Sequence, residues 1–258
     1  MSTENQKQQE QPNFEVPFDV IELPSKGLLY PGKNNTVKVQ YLTAADENIL
    51  TSPNLIKNGK VIDVLIDRKV KEFPIPIGDM LIGDRNAVMV WLRATGYGEI
   101  YPVKLTDPNT FEEFEYDVDL NGLKSKPLGA SPDESGLFDF DLPRSKKKIK
   151  FKLLTVNDEK AIVSKSESRN KAVKSQISNT LTYRLETQIM EIDGNQDKSY
   201  IAQFIQVMPA FDSLKFREYS DSVEPGIDMT VEVEGPSGET FPSNVPIGLD
   251  FFWPNAGV

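Results

Sequence analysis

The side chains of this chain that could do chemistry are carboxylates, lysines and arginines, because its 258 residues include neither cysteine nor histidine. Disulfides, thiolate nucleophiles, Cys/His metal sites and imidazole-based triads are thereby removed from consideration. Carboxylate chemistry needs two acids held in one cleft with their pKa values split. The densest acidic group is Glu112, Glu113, Glu115, Asp117 and Asp119, whose last four members share one face of a strand, the pattern of a solvated sheet face. Asp193-Gly194-Asn195-Gln196-Asp197 superficially resembles an oxygen-ligand loop. It lacks the spacing and the distal Glu of a calcium site, and reads as a helix end followed by an N-cap. Gly83, Gly96 and Gly98 form no phosphate-binding loop. No catalytic, cofactor-binding or metal-binding residue is therefore expected, no cofactor is implied, and the chain reads as something other than an enzyme.

The basic residues are more pointed. From Arg144 to Lys174 eleven Lys/Arg stand against three Asp/Glu, so this segment carries +8 inside a chain of net charge −10. Its candidate partner-binding residues are Arg144, Lys146, Lys147, Lys148, Lys150, Lys152, Lys171 and Lys174. On a strand, Lys148, Lys150 and Lys152 take one face and Ile149, Phe151 and Leu153 the other. Phosphate contact is one use of such a row, but Phe151 lies on the apolar side, where it cannot stack on a base. An acidic protein surface is the preferred partner and nucleic acid the less favoured one. No apolar run reaches the roughly 18 residues of a membrane helix, and Met1 to Asn13 lack the apolar core of a signal peptide, so a cytoplasmic location is expected.

These side chains need elements to hold them. Residues 1–14 are polar and Gln-rich and read as a disordered arm. Residues 15–98 form an N-terminal α/β segment: a strand over Thr36 to Leu42, a helix over Ala44 to Leu50 capped by Thr43 with Asp46 in the capping-box place, a helix over Lys60 to Val70, and a buried helix over 85–94 capped by Asp84. Arg85 and Arg93 on that helix are expected to bond carboxylates internally. Residues 99–155 form hairpins, residues 156–222 a helical region, and residues 223–258 a terminal hairpin and aromatic tail packing back on the β region. Within the helical region, Val173, Ile177, Leu181, Leu185, Ile189 and Ile192 make one amphipathic stripe, Asp197 caps a helix to Val207, and Asp212 caps another to about Ser222. Phe251, Phe252 and Trp253 are expected to close the core. The class is α+β, small hairpins with a helical bundle.

Four segments, ELPSKGLLYP from Glu22, LTAADENILTSPNLIKNGKVID from Leu42, IGDRNAVMVWLRATGYGEIY from Ile82, and EPGIDMTVEVEGPSGETF with VPIGLDFFWP at the end, together resemble the baseplate hub subunits of T4-like contractile-tailed phages, the gene 26 family. The resemblance implies a structural or assembly component of the tail baseplate hub, working through other hub proteins in the host cytoplasm during assembly, with residence in the virion tail and homo-oligomerisation left open. A carboxylate-based tail hydrolase and a nucleic-acid-binding protein using residues 144–174 are the alternatives. Many members of the family carry C-P-x-C turns that hold zinc. Here Asp107, Pro108 and Thr110 occupy one such place and Gly235, Pro236 and Gly238 the other, without a cysteine. The resemblance implies zinc-ribbon-like knuckles without metal, lying close together; the same turns read equally as two plain hairpin turns.

Overall fold

A computed structural model describes residues 15–173, 178–247 and 250–252. The expected arm at 1–14, Ile177 of the stripe, Lys174 and Trp253 lie outside the described residues.

β1 (Phe18–Glu22) and β2 (Thr36–Gln40) pair antiparallel, and β2 pairs in turn with β3 (Val70–Lys71). Between β2 and β3 lie α1 (Ala44–Leu50), α2 (Pro53–Lys57) and α3 (Val61–Lys69). The capping box forms as the sequence implies, with the Thr43 N–H donating to the Asp46 carboxylate at 2.8 Å. That carboxylate also meets the buried Lys69 ammonium, which donates to the Tyr41 carbonyl, and so ties α1 to α3 and to the end of β2. α4 (Ile82–Tyr97) is the central helix, with Val88, Met89, Val90 and Leu92 buried. It ends at Gly98, whose φ of 93° a side chain would resist, whereas Gly96 stays helical against Leu42.

The first hairpin is β4 (Ile100–Thr106) with β5 (Glu113–Asp119), followed by the short β6 (Ser125–Lys126). β7 (Phe138–Asp141) pairs with β8 (Lys148–Phe151). α5 (Val156–Val173), α6 (Thr180–Gln188), β9 (Ile189–Ile192), α7 (Lys198–Val207) and α8 (Ala210–Val223) follow. Ile189 and Ile192 are thus not helical: they form a third strand on β8, because Ile149, Phe151, Ile189 and Ile192 bury one common face. Asp197 caps α7, accepting from the Ser199 and Tyr200 N–H groups. β10 (Gly226–Ile227) pairs with β6, and β11 (Thr230–Glu234) with β12 (Thr240–Asn244).

One apolar cluster runs from Leu23 through α4 and all the hairpins to Phe251 and Phe252, and a small second one joins Leu154, Ile162 and Tyr183. The terminal aromatics lie in a 3₁₀ turn (Asp250–Phe252) rather than a strand, with the Phe251 ring 4.9 Å edge-on from Tyr101. The architecture is α+β, helices packed with several small antiparallel sheets. Among the described residues no helix is long and apolar enough to cross a membrane.

Candidate assembly interface

The N-terminus of α4 is where distant segments meet. Asp84 stands at the third helical position rather than at the cap, and its buried carboxylate accepts from the Ser25 N–H (2.9 Å), the Ser25 hydroxyl (2.5 Å) and the Tyr30 hydroxyl (2.6 Å). Tyr30 in turn accepts from the Leu81 N–H at 2.9 Å. Burial raises the Asp84 carboxyl above its ordinary value, and raises the Tyr30 phenol, which Asp84 lifts further. Beside it Gly83 touches the chain at Pro225-Gly226 so closely that a Cβ would lie 1.7 Å from the Pro225 carbonyl oxygen. Ser25-Lys26-Gly27, Gly83-Asp84 and Pro225-Gly226 therefore interlock, and these residues build the fold. Arg85 faces Asp63 at 3.6 Å. Arg93, however, bonds no carboxylate among the described residues: it donates to the Gly98 and Ile100 carbonyls at 2.7 and 3.2 Å, between the rings of Tyr97 and Tyr101. It sits over the outgoing chain, where carbonyls at the helix end are the acceptors within reach.

The turns at Asp107 and Gly235 are in contact. Asp107 is fully buried; one carboxylate oxygen accepts from Asn109 and Thr110 N–H in its own turn, and the other from the Ser237 N–H of the second turn at 2.9 Å. The Ser237 hydroxyl foremost, and then these backbone bonds, hold its pKa at about 2. A Cβ on Gly235 would lie 2.4 Å from the same carboxylate, and Asn109 donates to Glu239 across the gap. Pro108 and Thr110 belong to the first turn, Pro236 and Gly238 (φ 76°) to the second. Phe114 and Phe241 meet edge-on behind them.

The basic stretch is divided by its pairing. Lys147 bonds Asp193 at 2.7 Å, Lys150 bonds Asp133 at 2.6 Å and Lys152 bonds Asp158 at 2.7 Å. Lys160 and Lys165, further on, hold Asp63 and Glu186, and the exposed Lys171 lies 3.9 Å from Glu167. These lysines tie the hairpin and helices together instead of presenting open charge. Among the described residues no carboxylate pairs with Arg144, Lys146 or Lys148, all exposed around the β7–β8 turn. That turn is clamped by Asp212, another aspartate that stands at a third helical position, on α8, instead of the cap. It accepts from the Arg144 and Ser145 N–H groups at 2.6 and 2.9 Å. Burial pushes the Asp212 carboxyl up, yet those bonds hold it below its ordinary value. The clamp sets the Arg144 guanidinium 5.9 Å from the Phe211 ring, with Lys215 5.8 Å from the same ring. Val207, Phe211 and Leu214 are 77%, 46% and 41% exposed, so the α7–α8 corner joins the Arg144 cation to an apolar surface, with Lys215 there held by Glu218 at 2.7 Å. Composition alone could not separate the paired lysines from the free ones, and the apolar corner reads in sequence as ordinary helix.

The acids of one cleft are already engaged. In this cleft of about 650 Å³, Asp158 and Glu186 both line the wall. Asp158 is salt-bridged to Lys152 and bonded to Thr155, which hold its pKa below the ordinary value against burial, the opposite of what a general acid needs. Glu186 bonds Lys165. Glu224, which burial and neighbouring Asp221 raise, does not line this cleft. Among the described residues no group of three or more acidic side chains gathers where it could hold a metal ion.

The family model described as T4 bacteriophage base plate protein matches residues 19–237. No curated protein and no solved structure matches the chain. The matched span contains the Asp84 junction, the Asp107 turn, the basic stretch and the α7–α8 corner, and stops short of the terminal aromatics. The chain belongs to the T4 bacteriophage base plate protein family.

Proposed function

We propose that this baseplate protein is a structural or assembly subunit of the baseplate hub, acting in tail morphogenesis by protein–protein contact without a reaction of its own. The observation that carries the reading is the α7–α8 corner, where Arg144, without an ion-pair partner among the described residues, and Lys215, held by Glu218, lie beside exposed Phe211 on a chain whose family is that of the baseplate. A surface of this kind suits an acidic hub neighbour with apolar side chains at its centre: the cations steer the encounter and the apolar side chains supply the contact. Lys147, Lys150 and Lys152 support the surface from within. The joined turns at Asp107 and Gly235 serve as a metal-free counterpart of paired knuckles, with one carboxylate supplying by hydrogen bonds the tie a metal would supply. Assembly takes place in the host cytoplasm, and the subunit then resides in the tail.

The test is co-purification of the full chain with the other hub proteins of its phage, comparing wild type with an Arg144→Glu, Lys146→Glu variant. Neither side chain has an ion-pair partner among the described residues, so the variant should melt like wild type while retaining at least tenfold less hub protein, consistent with loss of about 1.4 kcal/mol or more. Undiminished retention by the folded variant would remove this surface from the function. Detection of the chain in purified tails by mass spectrometry checks its residence.

A further inference from the structure

In the sheet of β1, β2 and β3, β1 lies at an edge. The Tyr41 N–H donates to the Pro17 carbonyl and the Leu23 N–H to the Asn35 carbonyl, and the register sets Asp19 opposite Val39 and Ile21 opposite Val37. Odd-numbered residues therefore turn their backbone groups to β2, and antiparallel alternation aims those of Phe18, Val20 and Glu22 outward. Among the described residues no hydrogen bond reaches those outward groups. Phe18 and Val20, on the face away from the core, are 46% and 60% exposed. Phe18–Glu22 holds no lysine, proline or bulge, and its charged residues are the two acids Asp19 and Glu22.

We propose that this edge pairs with itself: β1 of a second copy lies antiparallel along it across a two-fold axis at Val20, joining two three-stranded sheets into one. In that register Val20 faces Val20, Asp19 faces Ile21 and Phe18 faces Glu22, so no two acids stand opposite each other. The Lys38 ammonium, bonded to the exposed Glu72 at 3.0 Å, lies 3.8 Å over the Phe18 ring, so Glu22 of the second copy arrives beside a cation it shares with Glu72, twice by symmetry. A basic strand from another protein would set a cation there instead. The arrangement is isologous and closes at two copies, and it rests on nothing in the hub reading.

Sedimentation equilibrium of the full chain should show its mass rising with concentration from 29.0 kDa towards twice that value. Val20→Pro removes an N–H that the chain's own sheet does not use, and with it two symmetry-related bonds. It should weaken the dimer by at least about 30-fold while leaving far-UV circular dichroism unchanged. Val20→Lys, which sets two ammonium groups face to face, should do the same if the proline variant does not fold. A mass fixed at 29.0 kDa up to about 1 mM protein overturns the proposal. So does a folded Val20→Lys variant that dimerises as wild type does, and so does a chain that dimerises only after residues 1–14 are removed, since the arm would then hold the edge.

Discussion

Replacing Asp84 with alanine should destabilise the protein by about 4 kcal/mol, a value that follows from the groups left behind. Its carboxylate accepts from the Ser25 N–H, the Ser25 hydroxyl and the Tyr30 hydroxyl at 2.9, 2.5 and 2.6 Å. Each buried donor left without an acceptor costs about 1–3 kcal/mol, and the three together outweigh the relief of releasing a carboxylate that burial disfavours. For a chain of this length each kcal/mol moves the midpoint by about 2–4 °C, so a drop of about 8–16 °C is expected in a calorimetric scan at neutral pH. Asp84→Asn keeps one acceptor but turns an N–H₂ towards donors, and should lie between the two. The pH dependence has a definite sign. A carboxyl raised in the folded state holds its proton longer than in the unfolded chain, so its contribution to stability falls as pH rises from the ordinary carboxylate range through the raised value. Asp84→Asn lacks that slope. A loss under about 3 °C in Asp84→Ala would refute the reasoning that these three bonds hold the junction.

Asp107 should behave in the opposite sense. Its folded pKa of about 2 lies below the ordinary value of about 4, so its stabilisation is present above pH 4 and is lost as pH falls through about 2. Melts of wild type and Asp107→Asn should converge across that window, and a constant gap would contradict the turn-bridging role. Gly83→Ala should lose stability in urea titration despite a helix propensity gain of about 1 kcal/mol. The new Cβ would meet backbone at 1.7 Å, and overpacking against an element that cannot yield costs about 1–3 kcal/mol or more. A stabilised variant would show that α4 can move away from Pro225.

Where local chemistry decides an element, the sequence reads directly. Thr43 and Asp46 make their capping box, Asp197 caps α7, and the alternation of Lys148 to Leu153 places Ile149, Phe151 and Leu153 inside. Asp84 and Asp212 show where such reading stops. Both look like N-caps, but each helix begins two residues earlier, and each carboxylate serves backbone N–H groups of a segment more than fifty residues away. Ile189 and Ile192 continue a four-residue spacing that fits a helix, and only the vacant side of β8 makes them a strand. The same limit applies to the surface. Eleven cations in one stretch say that charge is present, but whether Lys147 meets Asp193 or solvent depends on a turn from a distant part of the chain.

The burial of Phe251 and Phe252 against Tyr101 and α4 bears on how the protein is made. These two rings fill space beside a helix synthesised some 150 residues earlier. Until they dock, Tyr101 and its neighbours have no lid, and folding should wait on a closure that spans most of residues 101–252 and is slow for that reason. Chains terminated before residue 251 would lack this closure and should be cleared by proteolysis.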